Sequence, residues 1–166
     1  MKKYKNISIL VIMSLLLVGM DQYTKIAVVD RISLYEQVNV IPNFLYITYI
    51  QNTGAAFSMM EGAGNVVFSI ITIASLCLLL YLYMHSKDVW MRAGYLIVFA
   101  GAIGNYIDRM ALHYVRDFIG VYIFGWSFPI FNFADICITC GFGLLIIKMA
   151  YDEIKEKSRW KKELSK

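Results

Sequence analysis

The chain has 166 residues, of which 59% are hydrophobic and only 17% are charged, and its formal net charge is +4. A soluble domain carries about 25% charged residues, so this composition excludes an ordinary soluble domain and indicates an integral membrane protein. The positive charge does not indicate a nucleic-acid-binding protein, because the basic residues gather at the ends of apolar runs.

Four apolar runs predict four transmembrane helices, each long enough to cross the hydrocarbon core of a bilayer. They cover about residues 7–29, 65–84, 91–108 and 130–151, and the last is entered through Pro129, a suitable residue for a helix start. We therefore expect a single, mainly α-helical membrane domain over residues 1–166.

The distribution of Lys and Arg predicts the orientation of these helices. Twelve of the 16 basic residues lie in the N-terminal tail, around the loop between the second and third runs, or at the C-terminal side of the fourth run. By the positive-inside rule both termini face the cytoplasm, and the two longer connections face outward. The tail at 152–166 has opposite charges at helical spacing, such as Glu153 and Lys157, which predicts a solvated helix extension.

The two outer connections are rich in β-branched and aromatic residues. The first predicts a small extracytoplasmic β-sheet between helices 1 and 2, at about residues 31–58, with a strand at Phe44–Ile50 and a break at Pro42–Asn43. The second, residues 109–129, is similarly aromatic, and its Trp126 is typical of an anchor at the membrane interface.

Two aspartates, 18 residues apart, are the most informative residues of the chain. Asp117 lies in the second outer connection, and Asp135 lies inside the fourth apolar run. A carboxylate at membrane depth loses its hydration, so it is costly without a function. Two carboxylates that converge can share a proton and activate a water molecule, which predicts a catalytic pair. The alternatives are a loop aspartate at Asp117 and a protonated, uncharged Asp135.

Other polar residues lie at the same outer end of the predicted helices. Asp21 and Lys25 are spaced i, i+4, which predicts a structural ion pair, with direct substrate contact as the alternative. The segment NTGAAFS at 52–58 combines Asn52, which can both donate and accept hydrogen bonds, with Gly54, which lets a ligand approach the backbone. It could also be only a turn.

The end of the third run and the start of the fourth carry four more candidates. Asn105 and Asp108 are one helical turn apart on a small-residue face, which predicts a polar cavity beside Arg109. Asn132 lies one turn before Asp135. The alternative for the third run is a cap with a snorkelling side chain.

Cysteine and metal chemistry are not favoured. Cys77, Cys137 and Cys140 all lie in apolar runs and form no disulfide framework. Cys137 and Cys140 make a C-x-x-C, which we interpret as small residues of a packed helix rather than as a metal or redox site. The chain also lacks the G-x-S-x-G and H-E-x-x-H motifs. We therefore expect carboxylate chemistry without a metal or cofactor.

Five stretches, in this order and spacing, resemble the bacterial lipoprotein signal peptidase family (signal peptidase II). They are DQYTK at 21–25, NTGAAFS at 52–58, GAIGNYIDR at 101–109, VRDFI at 115–119 and FNFAD at 131–135. The resemblance implies an aspartic endopeptidase of the bacterial cytoplasmic membrane, with its active site toward the outer face. It would cleave a prolipoprotein just before a diacylglyceryl-modified cysteine. The expected partners are this lipid-modified substrate and membrane lipid, and not nucleic acid. We expect the protein to be a monomer.

The resemblance also implies roles for individual residues. Asp117 and Asp135 would be the catalytic pair, and Asp21 and Lys25 a structural pair. The substrate site would be lined or shaped by Asn52, Gly54, Asn105, Asp108, Arg109 and Asn132. Two positions depart from the family pattern: Arg116 replaces an apolar residue, usually valine, and Ile136 replaces a common serine. An inward-facing Arg116 is expected to lower the pKa of Asp117.

The residues alone also allow two other classes of protein. A small proton-coupled carrier would use Asp21, Asp108 and Asp135 as a relay through the bilayer. A membrane scaffold would use its acids only to pair helices, which leaves Asp117 unexplained.

Overall fold

The computed structural model describes residues 2–54 and 63–164, with side chains described at 9–54 and 66–164. The helices in these ranges are α1 (Lys2–Val29), α2 (Ala63–His85), α3 (Val89–Leu112) and α4 (Phe133–Leu164). The strands are β1 (Gln37–Ile41), β2 (Leu45–Asn52), β3 (Val115–Ile123) and β4 (Trp126–Ser127), which form one antiparallel sheet in the order β1-β2-β3-β4. The prediction of a mainly helical protein with a small sheet is confirmed.

Among the described residues, three helical segments are long and apolar enough to cross a membrane: Ile9–Val29, Val66–His85 and Phe133–Leu164. The 24 residues of α3 are also long enough for a span, but this helix carries Arg92, Asp108 and Arg109. The described residues thus contain three helices with the apolar character of membrane spans, and the predicted count of four is not confirmed.

Helix α3 occupies the centre of the helical bundle, where it packs against α1, α2 and α4. Small residues bring α3 and α4 close together. A Cβ atom at Gly101 would collide with the backbone oxygen of Ala134, and one at Gly141 would lie 2.6 Å from a methyl group of Val98. Close approach through small residues is the usual way in which membrane helices associate. This approach brings the polar end of α3 against the first turn of α4.

The outer sheet combines strands from both connections, so its predicted location between helices 1 and 2 was incomplete. β1 and β2 form a hairpin that turns at Pro42–Asn43, as predicted, and Asn43 adopts a left-handed conformation with φ of 56°. β2 then pairs with β3, which places Ile50 opposite Asp117. Residues 55–62 at the end of the predicted sheet region, which include Ala55 and Ser58 of the NTGAAFS segment, lie outside the described residues.

Helix α4 begins at Phe133 rather than at Pro129, so the predicted start was three to four residues early. Phe131 is still extended and pairs with Ile119 of β3, which delays the helix. Asn132 then caps it: the Asn132 Oδ1 accepts from the Asp135 N–H at 3.1 Å, and the Asp135 Oδ2 accepts from the Asn132 N–H at 3.1 Å. This reciprocal arrangement resembles a capping box.

The other end of α4 continues far past the apolar run, to Leu164. Lys157 and Glu153 form the predicted i, i+4 ion pair at 2.5 Å, so the predicted helical extension is present. Lys148 binds Asp152 on its own helix at 2.6 Å and Asp88, the N-cap of α3, at 3.0 Å. This contact joins α3 and α4 at the end opposite the sheet.

Candidate active site

Asp117 and Asp135 come together where β3 meets the first turn of α4. The Nδ2 of Asn132 donates to the Asp117 Oδ1 at 2.6 Å, while the backbone N–H of the same asparagine donates to Asp135 at 3.1 Å. Asn132 is completely buried and Asp117 is 3% exposed, whereas Asp135 is partly exposed. One residue therefore bonds to both carboxylates, which lie at the edge of the bundle.

Asn105 of α3 completes the link between the two aspartates. Its Nδ2 donates to the Asp135 Oδ1 at 2.8 Å, and its Oδ1 accepts from Asn132 at 3.0 Å and from the Lys25 ammonium at 3.0 Å. An ammonium group can only donate, so it requires the oxygen of the Asn105 amide to face it. The nitrogen of that amide must then face Asp135. Lys25 thus determines the orientation of Asn105.

Asn52, at the end of β2, binds Asp117 from the other side. Its Nδ2 donates to the Asp117 Oδ2 at 2.8 Å, and its Oδ1 accepts from the Gly54 N–H at 2.9 Å. Gly54 has a φ of +77°, a region that favours glycine, and a Cβ there would lie 2.8 Å from the Phe68 ring. This tight turn fixes the direction in which Asn52 presents its amide.

The environment of Asp117 raises the pKa of its carboxyl group. Burial is the main cause, because it disfavours the charged form, and the negative charge of Asp135 acts in the same direction. Hydrogen bonds from Asn52 and Asn132 and the charge of Lys25 oppose this effect. The balance of these effects raises the pKa of Asp117 above that of an exposed aspartate.

A buried ionic cluster lies directly behind the pair. Its members are Asp21 and Lys25 of α1, Asp108 of α3 and Arg116 of β3. Lys25 Nζ lies 2.9 Å from Asp21 and 3.4 Å from Asp108, and all three side chains are at most 1% exposed. The predicted contact between Asp21 and Lys25 is present, and Asp21 also accepts the backbone N–H of Ala134 at 2.9 Å.

Asp108, predicted to line or shape the substrate site, does not border an open cavity. It is completely buried, and protein groups approach both of its carboxylate oxygens. Arg116 Nη2 donates to Oδ1 at 2.6 Å, while Oδ2 accepts from the Arg116 backbone N–H at 2.9 Å. A substrate group would have to displace these charge-assisted bonds.

Arg116 points away from Asp117 and binds Asp108, so the condition under which it was expected to lower the pKa of Asp117 is not met. Successive side chains of a strand point to opposite faces, and β3 places Asp117 toward Asn132 and Arg116 toward Asp108. The pKa of Asp117 is raised, and burial rather than Arg116 dominates it.

Arg109, the last polar residue predicted on α3, lies beside the pair. It is half-buried, its Nη1 donates to the Asn105 backbone oxygen at 3.4 Å, and its guanidinium lies 5.0 Å from the centre of the Phe68 ring. Its charge interacts with both Asp117 and Asp135. A partly exposed cation at this position can attract a carbonyl oxygen or an anionic group.

Gln22, which was not predicted as a site residue, is bonded to members of the ionic cluster. Its Nε2 donates to the Gly104 backbone oxygen and to Asp21, both at 3.0 Å, and its Oε1 accepts from Arg116 at 2.9 Å. The sequence feature that could have indicated this residue is its polar side chain next to Asp21 inside an apolar run. Within the described residues, no group of three or more His, Cys, Asp or Glu side chains is arranged to hold a metal ion.

Comparisons with known proteins decide the family. The family described as signal peptidase (SPase) II matches residues 13–151. The chain belongs to the signal peptidase II family. A lipoprotein signal peptidase from Enterococcus faecalis is 41% identical over 86% of this chain and 88% of its own length. One from Staphylococcus carnosus is 38% identical over 95% of this chain and 99% of its own length.

A solved structure supports the same assignment of this signal peptidase II chain. A bacterial membrane enzyme superimposes with a TM-score of 0.81 at 38% identity, over 86% of this chain and 93% of that chain. The chain is thus a peptidase with the fold of a bacterial membrane enzyme. The family match covers Asp21, Asn52, Asn105, Asp117 and Asp135.

Proposed function

We propose that this signal peptidase II is an aspartic endopeptidase that removes signal peptides from prolipoproteins. Cleavage falls just before a diacylglyceryl-modified cysteine, and Asp117 and Asp135 are the catalytic pair. The observation that carries this proposal is the hydrogen bonding of both carboxylates to one buried asparagine, Asn132, at 2.6 and 3.1 Å. A shared environment of this kind suits two acids that hold one proton between them.

The reaction follows general acid–base catalysis by a singly protonated pair. The raised pKa of Asp117 favours it as the proton holder. Ionised Asp135 takes a proton from a water molecule, whose oxygen attacks the scissile carbonyl carbon while Asp117 protonates the carbonyl oxygen. The tetrahedral intermediate then collapses: one of its hydroxyl groups returns a proton to Asp117, the C–N bond breaks, and the nitrogen of the lipidated cysteine leaves with the proton that Asp135 took from the water. The pair again holds one proton. No covalent enzyme intermediate forms.

The residues around the pair hold the acids and the substrate. Asn52, Gly54 and Arg109 line the approach to Asp117, where Arg109 can bind a substrate carbonyl. Asn105 and Asn132 orient the carboxylates from within. Asp108 acts behind the site with Asp21 and Lys25, because its oxygens are already used by the protein.

Apolar cavities next to Asp135 suit the lipid of the substrate. Phe128, Phe131, Ile136, Thr139 and Cys140 line a cavity of about 300 Å³ that Asp135 also borders. A second cavity of about 290 Å³ continues between α1, α3 and α4, and Ile136 and Cys140 border both. The lipid is attached to the residue that follows the scissile bond, so its acyl chains must begin near Asp135. The apolar Ile136, where serine is common in the family, favours acyl chains there.

The proposal includes the placement of the enzyme in the membrane. Helices α1 to α4 would all span the bacterial cytoplasmic membrane, with both termini in the cytoplasm, and the sheet and Asp117 would face outward. The position of the basic residues supports this orientation. A carrier is less well supported, because Asp21 and Asp108 are enclosed by Lys25 and Arg116 instead of lining a path.

The deciding experiment measures cleavage of a diacylglyceryl-modified prolipoprotein by purified protein in detergent. Wild type is expected to cleave it, whereas Asp117→Asn and Asp135→Asn each lose turnover by at least about 10⁴-fold while remaining folded. The same peptide without lipid is the substrate control and should not be cut. Near-normal turnover by either variant would contradict the catalytic pair, and cleavage of the unlipidated peptide would contradict the lipid requirement.

A further inference from the structure

Arg116, a residue that departs from the family pattern, makes a dense set of contacts in the cluster behind the catalytic pair. Its Nη2 lies 2.6 Å from the Asp108 Oδ1, and its Nε lies 3.2 Å from the Asp108 Oδ2. The same Nη2 donates to the Gln22 Oε1 at 2.9 Å. The fork of a guanidinium bound to both oxygens of a carboxylate is a strong and directional contact.

These contacts fasten the beginning of β3 to two helices. The Arg116 backbone N–H also binds Asp108 at 2.9 Å, so both the main chain and the side chain of this residue are held on α3. Gln22 extends the connection to α1. The next residue is Asp117, whose side chain leaves the opposite face of the strand toward Asn132. A shift of Arg116 would therefore move Asp117.

The charge of Arg116 also matters to Lys25. The cluster contains two carboxylates, Asp21 and Asp108, and with Arg116 present it contains two cations. Without Arg116, Lys25 alone would face both acids, although it already lies 3.4 Å from Asp108 and 2.9 Å from Asp21. A buried carboxylate that has lost its partner attracts the nearest cation. Lys25 would move toward Asp108 and away from Asn105.

We infer that Arg116 is a positioning residue for the catalytic pair. It anchors β3 through Asp108 and Gln22, and it neutralises Asp108 so that Lys25 remains bound to Asn105. Asn105 then presents its Nδ2 to Asp135. This inference rests on the proposed function, since it assigns Arg116 a role in the same reaction. The Arg116 side chain itself donates to Asp108 and Gln22 and to neither aspartate of the pair.

The charged groups around Asp117 determine how its pKa responds to the loss of Arg116. They are Asp135 from α4, Lys25 from α1 and Arg109 from α3. Of these, Lys25 lowers the pKa of Asp117. A Lys25 drawn toward Asp108 would stabilise the Asp117 carboxylate less, so loss of Arg116 raises the pKa of Asp117 further.

The experiment compares wild type with Arg116→Val, the apolar residue usual in the family, and with Arg116→Lys, which restores charge without the fork. For Arg116→Val, kcat falls by about ten- to a hundredfold with KM unchanged, because the acids are misplaced but the substrate surface is intact. The alkaline limb of the pH profile moves to higher pH. Arg116→Lys recovers part of kcat and returns the pH profile toward that of wild type.

Two controls separate positioning from stability alone. Lys148→Met breaks an ion pair with Asp88 at the far end of α3 and α4, so it lowers the melting temperature without moving the pH profile. Infrared titration of the Asp117 carboxyl, assigned by its loss in Asp117→Asn, reports the same pKa change without any turnover. If Arg116→Val does not fold, Arg116→Lys carries the test through the same two measurements.

The outcomes distinguish this inference from the proposed function. A folded Arg116→Val with wild-type kcat and an unmoved Asp117 titration would overturn the inference, and so would an Arg116→Lys that titrates as wild type but has no more activity than Arg116→Val. Absence of cleavage by folded wild type would overturn the proposed function instead, and the infrared titration would still decide whether Arg116 influences Asp117.

Discussion

Three asparagine side chains hold the two acids of the site. Asn52, Asn105 and Asn132 each donate an amide N–H to a carboxylate oxygen, at 2.8, 2.8 and 2.6 Å. An amide carries no charge, so it can support a carboxylate without fixing it permanently in the ionised state. An arginine at the same place would hold the acid charged and remove the proton that the reaction requires.

Asn52 is expected to influence the pH dependence of turnover through its hydrogen bond to Asp117. Its hydrogen bond favours the charged form of Asp117, so Asn52→Ala raises the pKa of Asp117 beyond its already raised position. Because Asp117 holds the shared proton in the proposed mechanism, the alkaline limb of the pH–kcat profile is expected to move to higher pH. The loss of a hydrogen bond to a charged group also lowers kcat/KM by about ten- to a hundredfold.

The neighbouring residue provides a matched control for this measurement. Gln51 is on the same strand, but its amide donates to the Tyr49 hydroxyl at 3.0 Å rather than to Asp117. Gln51→Ala is therefore expected to leave the pH profile unchanged. An alkaline limb that stays in place in Asn52→Ala, or moves equally in both variants, would contradict the assigned role of Asn52.

At the scale of elements, the features that local sequence determines were predicted well. The apolar runs predicted four helices, and the β-branched segment with its Pro42–Asn43 break predicted the hairpin of β1 and β2. The strand β3 was not predicted, because its partner is β2, and Asn52 pairs with Val115 across more than sixty residues. Pairing over such a distance leaves no periodic signal in a single sequence.

The site was predicted only in part, because it too depends on contacts between residues far apart in the chain. The residue types and their motifs indicated the two aspartates and the asparagines, but not which side of β3 each side chain takes. The sequence left the direction of the Arg116 side chain open, and the structure shows it bound to Asp108, since alternation along a strand separates neighbours. Likewise, the first turn of α4 depends on Phe131 pairing with Ile119, which no local propensity reports.

The close contact of α3 with α4 leads to an element-scale prediction. Gly101→Ala places a methyl group against the backbone oxygen of Ala134 and 2.8 Å from Ile138, and neither backbone can yield without separating the helices. Such overpacking costs about 1–3 kcal/mol of stability. The separation would also lengthen the 2.8 Å bond from Asn105, one turn later on α3, to Asp135. Both the melting temperature and kcat are therefore expected to fall.

Gly143 of α4 is the control for helix propensity. A Cβ atom there would have nothing within 4 Å, and alanine is the better helix former. Gly143→Ala is expected to keep wild-type turnover and an equal or higher melting temperature. Equal behaviour of the two alanine variants would mean that the contact at Gly101 does not position the site.

On the scale of the whole molecule, the polar chemistry and the basic tail lie at opposite ends. The sheet, Asp117 and Asp135 are at one end of the bundle, while α4 carries Lys155, Lys157 and Arg159 beyond the other. A lipid-anchored substrate can reach the acids from the bilayer only if the sheet end lies at the membrane surface. The positive-inside rule assigns that end to the outer face.

Chemical labelling of single cysteines tests this arrangement. In a background with Cys77, Cys137 and Cys140 replaced by alanine, Trp126→Cys would place a thiol on β4, where the native side chain is 81% exposed. Ser158→Cys would place one on the exposed extension of α4. A membrane-impermeant maleimide is expected to label Trp126→Cys in right-side-out vesicles and Ser158→Cys only in inside-out vesicles. In the proposed arrangement α4 crosses the bilayer once between Trp126 and Ser158, which places the two positions on opposite sides. Labelling of both from one side would therefore contradict this arrangement.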